Sequence, residues 1–273
     1  MDFKRIEWIF LVVFIGINIF LVIELWQTPT LLSAHSTPTQ TDIKSETSAD
    51  QITIPKVNDK QGDGYYLAAK VDNSWSKKAA AQINEQIETN ASDNSISVNL
   101  NKPVTISKKQ KEALKEVIRF KNNSQNVYQG KDYVYIPELS EEDDYVFSQN
   151  TKYGEVFSNT ARLHIIVKNN QIVSYSQRYV NDLSPVRERQ NTISSKAAVN
   201  SLYTYSELPN NSKIIWLKQV YIRLITVRGS SIYIPTWVAA IENNNSKTVT
   251  LKRVNAFTGT IIQNNITDDD AKG

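Results

Sequence analysis

The chain has no cysteine and only two histidines, His35 and His164, and each scarcity removes a class of chemistry. Without thiols there is no disulfide framework, thiolate metal site, thiol nucleophile or redox switch, and no cysteine for lipid attachment. With so little histidine, acid–base catalysis lacks its usual proton acceptor near neutral pH. A zinc-binding histidine pair, a nucleophile elbow and a glycine-rich phosphate loop are also missing from the sequence. Neither sign of charge dominates: 31 Lys and Arg face 28 Asp and Glu, for a net charge of +3. They are interspersed without a basic block, which argues against a nucleic-acid partner. The composition therefore points to a non-enzymatic protein with no cofactor and no metal, working through noncovalent contact.

A long apolar run is present. From Trp8 to Trp26 the sequence is almost unbroken in apolar residues behind Lys4 and Arg5. At about 1.5 Å per residue its roughly 19 residues match the ~30 Å hydrocarbon core of a bilayer. It exceeds the apolar core of a cleaved export signal, and the small-residue stretch Leu32-Ser33-Ala34 lies well past Trp26. The expectation is one retained transmembrane helix over 8–26. Residues 1–7 would then lie in the cytoplasm by the positive-inside rule, diluted by Asp2 and Glu7, and the remainder outside the cell membrane. Asn18 falls near the middle of this span, where an unpaired amide is costly and bonding to a neighbouring helix is favoured. Gly16 offers close approach but lacks a second small residue four positions away. Asn18 and Gly16 are the expected transmembrane contacts, and Glu24 is expected at the outer interface.

Residues 27–50 are half Ser, Thr and Pro, too polar to bury a core, and read as an extracytoplasmic linker. Beyond it the pattern predicts an α+β fold: antiparallel sheets with helices packed on one face, in two similar helix-plus-sheet subdomains, 51–185 and 186–266, before an acidic tail at 267–273. Ala79, Ile83 and Ile87 predict a helix over Trp75–Thr89. Ser107 and Gln110 have capping-box spacing ahead of Leu114, Val117, Ile118 and Lys121. A further helix is expected from Ser194 or Ser195, turning Ala198, Leu202 and Tyr205 inward. Period-two runs predict hairpins at Asn169-Asn170, at Gly229-Ser230 and at Ala256–Gly259. Tyr135-Ile136-Pro137 and Tyr233-Ile234-Pro235 echo one another across the two halves.

Few residues suggest a site outside the membrane. Tyr233 and Trp237 share one strand face and could anchor an exterior interaction, or else be buried in the core. His164 reads as a sheet residue without catalytic duty. Glu141-Glu142-Asp143-Asp144 lacks the alternating ligands and glycine of a calcium loop and reads as a solvated turn.

The opening Met1-Asp2-Phe3-Lys4-Arg5-Ile6, leading into Asn18-Ile19-Phe20-Leu21, resembles the YycI family. Further matching stretches are Ser176-Gln177-Arg178-Tyr179, Ile193–Val199, Tyr233–Trp237 and Val254-Asn255-Ala256-Phe257-Thr258-Gly259, while Ile52–Asn101 matches least well. The resemblance implies a single-pass, non-enzymatic membrane accessory of a low-GC Gram-positive bacterium. It further implies association with YycH and the sensor histidine kinase WalK (YycG), in the WalK/WalR (YycG/YycF) two-component system controlling cell-wall metabolism. Contact would run largely through membrane helices. The tail motif also recurs in PepSY-like modules, so the alternative is an extracytoplasmic inhibitor or chaperone of a secreted peptidase.

Overall fold

The computed structural model describes residues 3–31, 46–72 and 74–263, with side chains described for 6–20, 46–72 and 74–263. His35, the side chain of Glu24, most of the linker and the acidic tail lie outside these residues. The chain divides into two compact units, Met1–Glu46 and Thr47–Gly273.

The first unit contains one long helix, α1 (Phe3–Leu31). Its described side chains, from Ile6 to Phe20, are all exposed, Trp8, Phe10 and Phe14 among them. They cover only part of the 8–26 run, and among the described residues no helix is long and apolar enough to cross a membrane.

The second unit is α+β, with few helices and a large, mostly antiparallel sheet. Its elements are β1 (Gly62–Gly64), β2 (Leu67–Lys70), α2 (Ser74–Gln82), β3 (Ile87–Asn90), β4 (Ser95–Thr105), α3 (Gln110–Asn122), β5 (Tyr133–Tyr135), β6 (Asp144–Thr151), β7 (Gly154–Val156), β8 (Arg162–Lys168) and β9 (Gln171–Arg178). There follow β10 (Ser184–Pro185), β11 (Gln190–Thr192), α4 (Ser195–Thr204), β12 (Ser212–Val227), β13 (Ser230–Asn243), β14 (Val249–Asn255) and β15 (Ile261–Ile262).

Thirteen strands form one sheet in the order β10-β2-β13-β12-β7-β6-β8-β9-β4-β3, with β5 added to β6 and β14-β15 to β13; β1 and β11 pair separately. Thr53 makes an isolated parallel bridge to Lys213, and the one parallel pairing between these strands is β7 on β12, Val156 beside Tyr221. It joins the two helix-plus-strand halves expected on either side of residue 185 into a continuous sheet. The early strands β1 and β2 pair with β11 and β13 of the later half.

Side chains alternate across a sheet, so the register assigns each core to a face. Val98, Phe147, Leu163, Ile165 and Tyr175 meet α3 through Ala113, Val117 and Phe120. Ile96, next but one to Val98 on β4, meets Trp75 and Ala79 of α2. Ala239 and Ile241 meet Val199 and Leu202 of α4. Following the paired positions strand by strand places all these sheet residues on one face. The opposite face has Val146, Val220, Ile222, Ile234 and Val238, covered by Ile136 and Phe157.

Local differences from the sequence pattern have physical causes. The helix at Trp75 stops at Gln82, because β-branched Ile87 and Thr89 pair with Val98 and Ile96 of β4 instead of extending it. The capping box does not form: Ser107 Oγ accepts from Lys109 N–H (3.2 Å) and donates to Glu112 (3.0 Å), and α3 begins at Gln110 with no side-chain cap. At α4 the cap does form, Ser194 Oγ accepting from Ala197 N–H at 3.1 Å. Ala198 and Leu202 are buried as expected, but Tyr205 lies just past the helix end and is 48% exposed, Val199 turning inward instead. Asn169 and Asn170 both adopt positive φ (51° and 57°), the conformation a two-residue hairpin turn requires. In the β12–β13 hairpin the turn residues are Arg228 and Gly229, one position earlier than expected, because Ser230 already pairs with Val227.

Candidate functional site

The second unit has a cleft of about 540 Å³ where the sheet's distant parts approach. One wall comes from β2, β12 and β13 through Ala69, Arg223, Thr226, Ser231 and Tyr233, and the other from Arg178–Asn181 after β9 and the Ala91–Asn94 turn before β4. In the strand order β2 and β9 are far apart, and the turn at Asn159–Ala161 ties their walls together. Asn159 Oδ1 accepts from Arg178 Nη1 at 3.2 Å, while Thr160 Oγ1 lies 3.0 Å from the Tyr233 hydroxyl.

Arg178 also donates through Nη2 to Asp93 Oδ2 at 2.8 Å. Burial pushes the Asp93 carboxyl up, but hydrogen bonds from Ser95 and Arg178 outweigh it and hold Asp93 below the usual carboxylate range. The turn carrying Asp93 is fixed by Asn94, whose positive φ of 53° suits asparagine and whose Oδ1 accepts from Trp75 Nε1 at 2.9 Å. At the cleft's rim Asp72 accepts from both the amide and the hydroxyl of Ser74, and these bonds lower its pKa. Thr226 and Ser231 hydroxyls, 3.0 Å apart across the hairpin, complete the polar lining.

Of the residues singled out in the sequence, Tyr233 is in this cleft's floor and only 1% exposed, so burial is its state. Trp237 is half-buried against the α4 core and donates from Nε1 to Ile193 O at 3.0 Å. His164 is buried on the sheet face opposite α2, α3 and α4, its Nδ1 2.9 Å from Asp144 Oδ2. Asp144 thus belongs to the sheet, while Glu141, Glu142 and Asp143 are exposed around a turn closed by Glu141 N–H donating to Asp144 O. Among the described residues no group of three His, Cys, Asp or Glu could hold a metal ion. In the first unit, Asn18 Nδ2 donates to Phe14 O at 2.8 Å on its own helix, and a side chain at Gly16 would meet nothing within 4 Å.

Sequence reasoning missed the cleft. Arg178 and Asp93 are 85 positions apart, and the one local signal was the Asp-Asn-Ser turn at 93–95.

A family model described as YycI protein matches residues 33–257. No curated protein matches the chain. Among solved structures, an uncharacterized protein from Eubacterium rectale is similar at TM-score 0.48 and 13% identity, over 78% of this chain and 91% of that one. The C-terminal domain of Bacillus megaterium YpeB is similar at TM-score 0.42 and 13% identity, over 71% of this chain and 97% of that domain.

Proposed function

The chain belongs to the YycI family, and from that premise we propose that it is a non-enzymatic, membrane-anchored accessory of the sensor histidine kinase WalK (YycG), acting with YycH on the two-component system that controls cell-wall metabolism. In this reading α1 spans the cell membrane with its amino end in the cytoplasm, the stretch between α1 and Thr47 is the tether, and the α+β unit works outside.

The observation that supports it is Asn18 on an apolar, exposed helix surface. Its amide gives one N–H to Phe14 O. The carbonyl oxygen and the second N–H then remain to be satisfied in hydrocarbon, where a bond to a neighbouring helix contributes roughly 0.6 to 2 kcal/mol. Gly16 and Asn18 are two residues apart, hence about 200° around the helix, and cannot serve the same neighbour. Asn18 faces one partner helix and Gly16 a second, which suits an assembly of three helices. A helix that binds one signalling state of the kinase better than the other shifts their ratio by the difference in affinity, and about 1.4 kcal/mol changes it tenfold.

Asn18→Leu is expected to weaken co-purification with the kinase several-fold while membrane insertion is retained. Undiminished association would remove Asn18 from the contact.

A further inference from the structure

The cleft between β2, β12, β13 and the end of β9 is built to hold something smaller than a protein. Its volume of about 540 Å³ falls in the ~300–1,000 Å³ range of small-molecule sites, which favour places where separate parts of a fold meet. The lining mixes apolar and polar groups, and its polar side chains are fixed: the Arg178–Asp93 pair, the Asn159 amide, the Thr160–Tyr233 contact and the Thr226–Ser231 contact all hold their side chains in place.

Arg178 carries the argument. A guanidinium has five N–H donors in a rigid fork, and Arg178 commits one from Nη1 to Asn159 and one from Nη2 to Asp93. Both acceptors hold the fork in place without using it up, and the side chain keeps 20% of its surface open in the cleft wall. Asp93 cancels one positive charge, yet Arg223 from β12 brings a second cation into the same lining. Asp72, the other acid there, keeps its negative charge while accepting from Ser74 at the rim, and Lys70 in the same lining offsets it. A preorganised guanidinium with donors to spare, beside a second cation, matches the planar, bidentate geometry of a carboxylate.

We propose that this cleft is a binding site for a small polar ligand bearing a carboxylate, of about dipeptide size, with the acid held by Arg178 and Arg223 and the body against the hydroxyl and amide lining. The site does not depend on the membrane-helix reading, and either can fail while the other stands.

The test is calorimetric titration of the full chain in detergent micelles with N-acetyl-glycyl-glycine, with its C-terminal amide, and with inorganic phosphate. The acid is expected to bind at least tenfold more tightly than the amide and than phosphate. Arg178→Lys keeps a positive charge facing Asp93 but removes the fork, and Thr226→Trp fills the cleft from an exposed position. Each is expected to weaken the acid at least tenfold with the fold intact by circular dichroism. Equal binding of acid and amide, no binding of the acid at millimolar concentration, or parental affinity in both variants would overturn the proposal. Tighter binding of phosphate would also overturn it, assigning the site to a bare anion.

Discussion

Lys121 offers a quantitative check on the packing of the second unit. It sits at the end of α3, 3% exposed, and its ammonium donates to Gly130 O (2.5 Å), Tyr133 O (2.8 Å) and Asn122 Oδ1 (2.8 Å) while lying 5.6 Å from the Phe147 ring centre. Burial lowers its pKa from 10.5 to about 8, against an opposing pull from Asp132. Because the folded value is below the unfolded one, the cost of the buried charge is fully present below pH 8. It is relieved as pH rises from 8 toward 10.5, where the unfolded chain holds a proton the folded chain has released. At about 1.4 kcal/mol per pH unit, the wild type gains up to ~2 kcal/mol between pH 8 and 9.5 from this group. Lys121→Met takes the ammonium from the Tyr133 carbonyl, at about 1–3 kcal/mol, while Gly130 O keeps the Tyr133 N–H, and it cannot titrate. The stability difference, wild type minus variant, should therefore widen by ~2 kcal/mol across that window. Tyr133, Tyr175 and Tyr179 have pKa values raised by burial. They lower stability only above the unfolded tyrosine value near 10, equally in both chains. Urea unfolding in micelles, followed by tryptophan fluorescence, gives the comparison. Parallel pH profiles for the two chains would refute the reasoning.

Two further substitutions test particular turns of the backbone. Gly130 packs so closely on α3 that a Cβ would sit 1.8 Å from Lys121 O; since that atom is backbone, Gly130→Ala should cost about 3 kcal/mol or more, read as a lowered urea midpoint. Ser194→Ala removes the cap on Ala197 N–H and should cost about 1 kcal/mol, measured in the same way, with Ser194→Asp close to wild type.

What was legible in the sequence was local. Asn169-Asn170 announces its turn because asparagine tolerates the positive φ found there, and Ser194 announces α4 because a short hydroxyl side chain can reach a free amide. Lys121 could be read as part of the α3 stripe, though not as buried, since three carbonyl acceptors from Asn122, Gly130 and Tyr133 assemble only in the fold. The sheet's continuity was out of reach for the same reason: Leu67 pairs with Tyr233 and Val156 with Tyr221, contacts that no periodicity records. The cleft joins Arg178 to Asp93 and Thr160 to Tyr233 across such distances. Ile87 misled because a spacing of four fits a helix stripe, whereas its β-branched side chain pairs with β4.

Everything proposed about signalling rests on α1 staying attached and making helix contacts in the membrane. A photo-crosslinking amino acid at position 18, activated in intact cells and followed by mass spectrometry of the adducts, tests this most directly. The account predicts adducts of the uncleaved chain with the kinase or with YycH. Recovery of the chain from the medium with its amino end near His35, or adducts with lipid alone, would contradict it.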